Sequence, residues 1–342
     1  MSIVSDDNKL AGDDFEDDAV SSEDWNESNL ATETKPTAKT KKTRKPRRIE
    51  PPIAEKLTDR YKSGFAWIIF GWLAGIHVVA LAAPFYFSWS GFAIFVVFYY
   101  LTGCVGITLC FHRMLTHTSY QVHYPTRMIL AFIGGLAGEG SALDWVAMHR
   151  KHHAHSDQPE DPHSPEHGGL WAHMWWLFPF RNREEQRSIH ERWAPDLLKE
   201  PGMRFLDYAF IPSHLVLGGL MAFAGYCYGG SYYATSWVLW GMFARLVVVL
   251  HVTWFVNSAS HIWGYTNYET TDKSKNLWWV ALTAFGEGWH NNHHAYPRMA
   301  NHGHKWWEFD LTYNIIRVMK WTGLAWNVVD YKKKSKDGSA IH

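Results

Sequence analysis

Long uninterrupted runs of apolar residues dominate the pattern of this chain. Four runs are each about 20 residues long, the length a helix needs to cross a hydrocarbon core of about 30 Å. The first three contain no Lys, Arg, Asp or Glu, whereas the fourth contains Arg245 and His251. The runs cover residues 65–87, 91–111, 209–228 and 235–256. The pattern therefore predicts four transmembrane helices.

The spacing of the runs predicts how these helices pair. Only residues 88–90 separate the first two runs, so they are expected to form one hairpin, and the last two runs form a second. Two shorter apolar runs, 128–138 and 277–285, are interpreted as interfacial or half-buried helices. The mixed aromatic and charged stretch 306–329 fits either a cytoplasmic cap or an interfacial helix. The predicted fold class is an all-α integral membrane protein of two hairpins with a cytoplasmic helical cap.

Charge divides the rest of the chain. Residues 5–33 carry eleven Asp or Glu and one Lys, and residues 35–62 then carry eleven Lys or Arg. The acidic part has too few apolar residues to fold. We therefore predict a disordered tail over 1–55, a membrane domain over 56–330 and a basic tail over 331–342.

Basic segments flank the membrane domain on both sides. The block KKTRKPRR (41–48) precedes the first run, and YKKKSK (331–336) lies near the C-terminus. Such segments stay on the cytoplasmic side, and four spans place both termini there. The connection 112–208 and everything after residue 257 would then also be cytoplasmic. We interpret the first block as an anchor on anionic lipid of the bilayer. The formal net charge of zero gives no support for a nucleic-acid partner.

Histidines form three clusters on the predicted cytoplasmic side, in the segments HRMLTH, HRKHH and HNNHH, and one more histidine follows the fourth run. Residues at i, i+3 and i+4 share one face of a helix. Neutral imidazole suits Fe, Zn, Cu and Ni. Nine histidines exceed what one ion accepts, so the pattern predicts two ions, each held partly by each HxxHH segment. The nine candidate ligands are His112, His117, His149, His152, His153, His261, His290, His293 and His294.

Other residues refine the predicted site. Asn257 lies four residues before His261, on the same helical face, and can join directly or through a water. Two redox-active metals can activate dioxygen, whereas two zinc ions would activate water. No HExxH motif is present, which argues against a zinc protease of that class. Trp145, Trp254 and Trp263 flank the clusters and predict an aromatic slot for a long apolar substrate.

These motifs resemble the membrane fatty acid desaturase family, in particular its stearoyl (Δ9-type) branch. The resemblance covers roughly residues 60–327 and is carried by HRMLTH, DWVAMHRKHHAHSDQPEDPHSP, NSASHIWG and GEGWHNNHHAYP. His290 opens the third cluster where the Δ12 and front-end branches usually have Gln, which indicates the Δ9-type branch. The resemblance implies a centre of two iron ions bound by the nine histidines, with Asn257 in contact through water.

The resemblance also implies an activity. Members of the family use O2 and two electrons to place a double bond in a fatty acyl chain, here a cis bond expected at Δ9 of a C16 or C18 chain. No fused cytochrome b5 signature such as HPGG is present, so the electron donor would be a separate ferredoxin or cytochrome b5 with its reductase. Animal acyl-CoA members carry charged residues where this chain has Ala147 and Met148. The acyl carrier therefore stays open between CoA, a glycerolipid and a carrier protein.

Each ligating imidazole also needs a partner for its other ring N–H. Acids close in sequence to the clusters are candidates for this role, namely Glu139, Asp144, Asp157, Asp161 and Glu287.

Two alternatives use the same histidines. A hydroxylase or ketolase of the same superfamily would return oxygen to the carbon, and a hydroxylated product would identify it. A histidine-rich metal transporter is expected to place its ligands near the membrane midplane, whereas these histidines lie outside the predicted spans.

Overall fold

The computed structural model describes residues 60–330, and the two predicted tails lie outside that range. The described part is helical, and within it no β-sheet forms, only isolated bridges such as the one between Gln121 and Trp326. The helices are α1 (Trp67–Ala80), α2 (Trp89–Thr116), α3 (Tyr124–Gly135), α4 (Ala142–His155), α5 (Gly169–His173), α6 (Arg183–Trp193), α7 (Pro195–Lys199), α8 (Pro201–Gly229), α9 (Ser231–Ile262), α10 (Trp278–Thr283), α11 (His290–Ala295) and α12 (Leu311–Trp321).

Three helices are long and apolar enough to cross a membrane: α2, α8 and α9, with 28, 29 and 32 residues. They contain the second, third and fourth predicted runs. The first run, 65–87, differs from the prediction, because α1 has only 14 residues and a 3-10 turn over Ala83–Tyr86 follows it. At 1.5 Å per residue, α1 is roughly 21 Å long, less than a hydrocarbon core. Pro84 lies in the turn and has no backbone N–H to donate to the carbonyl of Ala80, so the α-helical hydrogen bonds are interrupted there.

Large apolar side chains point outward from these helices. Ile68 in α1 is 88% exposed and Leu215 in α8 is 73% exposed. The exposure of many large apolar side chains is unfavourable in water but not among lipid tails. The outer surface of this part of the molecule therefore fits a bilayer.

The second half of α2 is wound more widely than an α-helix. It is α-helical over Trp89–Tyr99 and π-helical over Tyr100–Thr116. The backbone N–H of His117 accordingly donates to the carbonyl of His112 at 3.2 Å, five residues back. Residues five apart in an α-helix, at about 100° each, lie roughly 140° apart around the axis. The π-type turn instead brings them onto one side, which is the arrangement of His112 and His117 here.

The main core lies where this π-helical segment packs against α3, α4 and α12. Phe111, Leu143 and Ile316 are fully buried in it. The approach of α2 to α3 is close, because a Cβ added to Gly106 would lie 2.6 Å from the Cα of Gly134. This contact fixes the end of α2 that carries the first histidine cluster.

The shorter predicted helices form with shifted or narrower bounds. The run 128–138 falls within and just after α3, and 277–285 contains the six-residue α10. Only eleven residues of the stretch 306–329 are helical, as α12. Asp310 caps α12 by accepting a hydrogen bond from the backbone of Tyr313, so the helix begins at a specific polar residue.

Candidate metal centre

Two groups of buried and half-buried histidines converge at one end of the long helices. In each group, the ring nitrogens that face inward lie within 4.8 Å of one another. The five-histidine cluster consists of His112, His117, His149, His153 and His293. The four-histidine cluster consists of His152, His261, His290 and His294. All nine histidines singled out in the sequence are therefore brought together, and each HxxHH segment contributes to both clusters.

Four helices position these rings. The π-type end of α2 supplies His112 and His117 to the five-histidine cluster. The centroids of these two rings are 4.8 Å apart. Helix α4 presents His149 and His153 to one cluster and His152 to the other. Its N-terminus is fixed by the Ser141 hydroxyl, which accepts from the backbone N–H of Asp144. The short helix α11 and the C-terminal turn of α9 complete the set.

The Nε2 atoms of neighbouring rings point at one another. His112 and His293 have Nε2 atoms 3.0 Å apart, and so do His153 and His293. In the four-histidine cluster the Nε2 atoms of His261 and His290 are 3.0 Å apart. Lone pairs on several nitrogens that face a common point are the donor set of a transition-metal ion.

Carboxylates hold the opposite nitrogen of several rings. Nδ1 of His112 lies 2.6 Å from Glu287, and Nδ1 of His294 lies 2.5 Å from Asp272. A carboxylate that accepts the Nδ1–H leaves Nε2 as the free ligand atom and fixes the ring orientation. Two further pairs are His152 with Asp161, at 3.0 Å, and His261 with Asp157, at 3.1 Å.

Burial favours the neutral form of several of these imidazoles. It lowers the pKa of His149, His153 and His293 well below the usual range, and neighbouring histidines lower it further. Burial also lowers the pKa of His294 to about 4, although Asp272 opposes the shift. Burial alone would raise the pKa of Glu287, but His112, Arg113 and His302 hold it well below its usual range. Neutral imidazoles backed by ionised carboxylates are the form that binds metal.

Unpartnered atoms test whether the residues fit a metal. The Nε2 atoms of His117, His152 and His294 are buried, and none finds a hydrogen-bond partner within the described part of the chain. Buried polar atoms are normally paired, so an orphan needs an explanation. All three histidines belong to the two clusters. The nitrogen-only inner set therefore fits transition-metal ions, which would satisfy these atoms.

An apolar cavity reaches both clusters. Its walls come from α2, α4, α9 and the segment before α11, and His149 and His290 lie on its surface. Asn257 lines it as well, beside the four-histidine cluster. The remaining wall is mostly aliphatic and aromatic, so the cavity suits a chain without polar groups.

The three candidate tryptophans occupy different places. Trp145 lines the cavity, stacks on His149 with ring centroids 4.7 Å apart, and donates through Nε1 to Glu139 at 2.9 Å. Trp254 lies outside the cavity wall, buried against Leu250 and other residues of a second core. Trp263 is 60% exposed at the end of α9, also outside that wall.

Sequence reasoning missed three residues beside the histidines. Asp272 comes from a loop after α9, and nothing in the local sequence marks it as a histidine partner. His302 is fully buried, with its ring centroid 4.4 Å from that of His293. Arg113 is also fully buried and binds Glu287 and Asp310 at 3.1 and 2.9 Å. The segment HGH (302–304) and an arginine next to His112 were the only signals. Of the five candidate acids, Asp144 instead pairs with His190 and Glu139 with Trp145.

Comparisons with known proteins agree with this geometry. The family model described as fatty acid desaturase matches residues 87–327. The chain is 40% identical to the sn-2 palmitoyl-lipid 9-desaturase of Nostoc sp. (strain 36), over 77% of this chain and 90% of the relative. It is 41% identical to the sn-1 stearoyl-lipid 9-desaturase of Anabaena variabilis, over 78% and 95%. It is also 41% identical to the icosanoyl-CoA 5-desaturase of Limnanthes douglasii, over 74% and 69%.

Proposed function

This chain belongs to the fatty acid desaturase family and is an oxidoreductase that desaturates fatty acyl chains, and we propose that it forms a cis double bond at Δ9 of C16 or C18 chains. One observation carries the proposal. Nine histidines from four helices converge in two clusters beside an apolar cavity. The names of two relatives that the chain covers almost completely favour Δ9 and palmitoyl or stearoyl substrates.

Two iron ions would occupy the two clusters, with His112, His117, His149, His153 and His293 on one and His152, His261, His290 and His294 on the other. Asn257 would contact the second ion through a water. When bound, the irons would supply the activation of O2 and the removal of two hydrogens from neighbouring methylenes. The chain's own residues would bind and orient the acyl chain and exclude water. Carboxylates would hold four of the imidazoles in the ligating tautomer, namely those of His112, His152, His261 and His294.

Hydrogen bonds in the cavity wall support the proposal that the protein positions the acyl chain. Trp145 and Thr253 both donate a hydrogen bond to the carboxyl group of Glu139, at 2.9 and 2.7 Å. Their positions on the wall are therefore fixed by one shared acceptor. Asn257 lies one turn beyond Thr253 on the same face of α9. An acyl chain in the cavity would thus be held by rigid side chains next to the histidines, as positioning catalysis requires.

The acyl carrier is proposed to be a glycerolipid. Of the three relatives reported above, two are named lipid desaturases and one is named a CoA desaturase. Ala147 and Met148 are buried, 0% and 8% exposed, so neither presents a charge to a carrier. Purified enzyme offered labelled stearoyl-glycerolipid or stearoyl-CoA would distinguish the two carriers.

The proposed topology has four membrane passages, with α1 and the turn after it as the first. Both termini and the metal centre would face the cytoplasm, as the basic segments on either side of the domain favour. The domain itself would span 56–330. Reducing equivalents would come from a separate ferredoxin or cytochrome b5 with its reductase. Cysteine labelling at residues 88–90 and in the 263–276 loop would test the sidedness.

Gas chromatography of fatty acids from a desaturase-deficient host that expresses the chain tests the activity. A matched ferredoxin or cytochrome b5 with its reductase should be supplied. We expect new C16 or C18 monounsaturated chains in air only, and none from His293→Ala. Membrane-inserted protein that yields hydroxylated chains, or unchanged lipids despite the donor, would contradict the proposal.

A further inference from the structure

One residue of the cavity wall has an unfavourable backbone conformation. Phe285 has φ of +56°, in the left-handed region that glycine occupies readily and other residues rarely do. The residue is nevertheless a large aromatic one and is only 8% exposed. Strained positions that are retained in a fold point to a function for the side chain.

The neighbours of Phe285 hold its ring in one place. Its centroid lies 5.1 Å from that of Tyr99 and 6.2 Å from that of Tyr100. A Cβ added to Gly103 would lie 2.9 Å from Cε2 of the ring, so the glycine makes room for it. The carbonyl of Phe285 accepts from the backbone N–H and the hydroxyl of Thr312, at 3.1 and 2.9 Å.

The ring lies at the end of the cavity away from the histidines. On α2 the cavity wall extends from His112 to Tyr99. These residues are 13 positions apart, which corresponds to roughly 15–20 Å along a helix axis. The Tyr99 end lies inside the apolar helix Trp89–Thr116. A polar carrier would be unfavourable there, so the methyl end of an acyl chain belongs at Phe285.

We propose that Phe285, with Gly103 beneath its ring, closes the methyl end of the cavity and limits how long an acyl chain the enzyme accepts. The inference rests on the proposed function. Phe285 is only two residues from Glu287, so one short segment contains both the closed end of the cavity and a partner of the metal centre. The length of chain that fits between them is therefore fixed by the fold.

Product analysis by gas chromatography with mass spectrometry tests this inference. The host is fed saturated chains from C14 to C22, and the monounsaturated product of each length is measured. Phe285→Ala should accept chains about two to four carbons longer than the native enzyme does, since a phenyl ring occupies the space of several methylenes. Gly103→Ala should shift the preference to shorter chains, because its methyl group pushes the ring into the cavity.

A double variant sharpens the test. In Gly103→Ala/Phe285→Ala the added methyl no longer meets a ring, so the long-chain products should return. Phe285→Gly removes the ring and also relieves the strained backbone, so it should fold and show the same extension if Phe285→Ala does not fold. Phe205→Ala, which alters a phenylalanine 67% exposed on α8, is the matched control and should leave the profile unchanged.

Failure of the proposed function and failure of this inference would give different results. A native enzyme that forms no double bond in any chain, with donor supplied, overturns the proposed function. An active native enzyme whose chain-length profile is the same in Phe285→Ala and Phe285→Gly overturns this inference alone.

Discussion

The carboxylate of Glu287 lies 2.6 Å from Nδ1 of His112, and its other oxygen lies 3.1 Å from the guanidinium of Arg113. One buried acid thus binds two consecutive residues of α2, a metal-ligand candidate and a structural cation. His302 approaches the same carboxylate at 3.2 Å. The orientation of the His112 ring is therefore coupled to the ion pair that fixes the segment before α11.

Replacing Glu287 with Gln should weaken iron binding. The amide keeps the shape but removes the negative charge that orients His112, and loss of such a partner typically lowers metal affinity 10–100-fold. Iron retained after dialysis against a chelator, measured by mass spectrometry, gives the result. Glu160→Gln, at an exposed position of the same chain, is the control. Equal iron retention in both variants would show that Glu287 does not orient a ligand.

Asp272→Asn should affect the four-histidine cluster selectively. Asp272 contacts His294 at 2.5 Å, and His294 belongs to that cluster only. We expect the iron content to fall from about two ions per chain towards one, since the affinity loss of such changes is about 10–100-fold at the affected ion. Glu269→Gln, in the same loop but exposed, should keep both ions. Loss of all iron from Asp272→Asn would mean that the two clusters do not bind independently.

The sequence was sufficient to identify the histidines of the HxxHH segments, because i, i+3 and i+4 spacing puts them on one face of any helix. It was not sufficient to explain His112 and His117. Five residues apart, they would diverge on an α-helix, and only the π-type winding of α2 unites them. No local pattern in the sequence indicates that winding.

Long-range partners were also beyond the sequence pattern. Hydropathy identified the three long helices but overestimated the length of the first predicted helix. An average over residues does not show that α1 ends before Pro84. Proximity in sequence placed Trp263 near the site, yet its side chain is largely exposed. Asp272 and Phe285 gain their roles from contacts made only in three dimensions.

Acid should destabilise the metal-free protein through its buried histidines. Burial lowers the pKa of His302 to about 4 and of His163 to about 3, against 6.5 as the usual value. As pH falls below about 6.5, the unfolded chain takes up protons before the folded chain does, so stability decreases with falling pH. Each unit of pKa difference corresponds to about 1.4 kcal/mol.

Thermal unfolding of metal-free protein in detergent between pH 8 and pH 5 measures this effect. The melting temperature should decrease steadily below pH 6.5. His163→Gln should reduce the slope, because that variant has one fewer buried imidazole to protonate on unfolding. A melting temperature independent of pH over this range would contradict the prediction.

Glu139 should show the opposite dependence on pH. Burial raises its pKa to about 7, although Thr253 and Trp145 donate to it and lower it in part. As pH rises from about 4.5 to 7, the unfolded chain loses this proton first. Ionisation of Glu139 therefore reduces folding stability, and this loss is complete above pH 7. Glu139→Gln should melt at a higher temperature than the native protein at pH 8 and at a similar temperature at pH 5.

The same carboxyl group should also affect the position of the double bond. Glu139→Gln should keep the native double-bond position, because an amide can still bind Trp145 and Thr253. Glu139→Ala releases both side chains and should lower the rate and yield a mixture of double-bond positions. A single native product from Glu139→Ala would show that this carboxyl does not position the cavity wall.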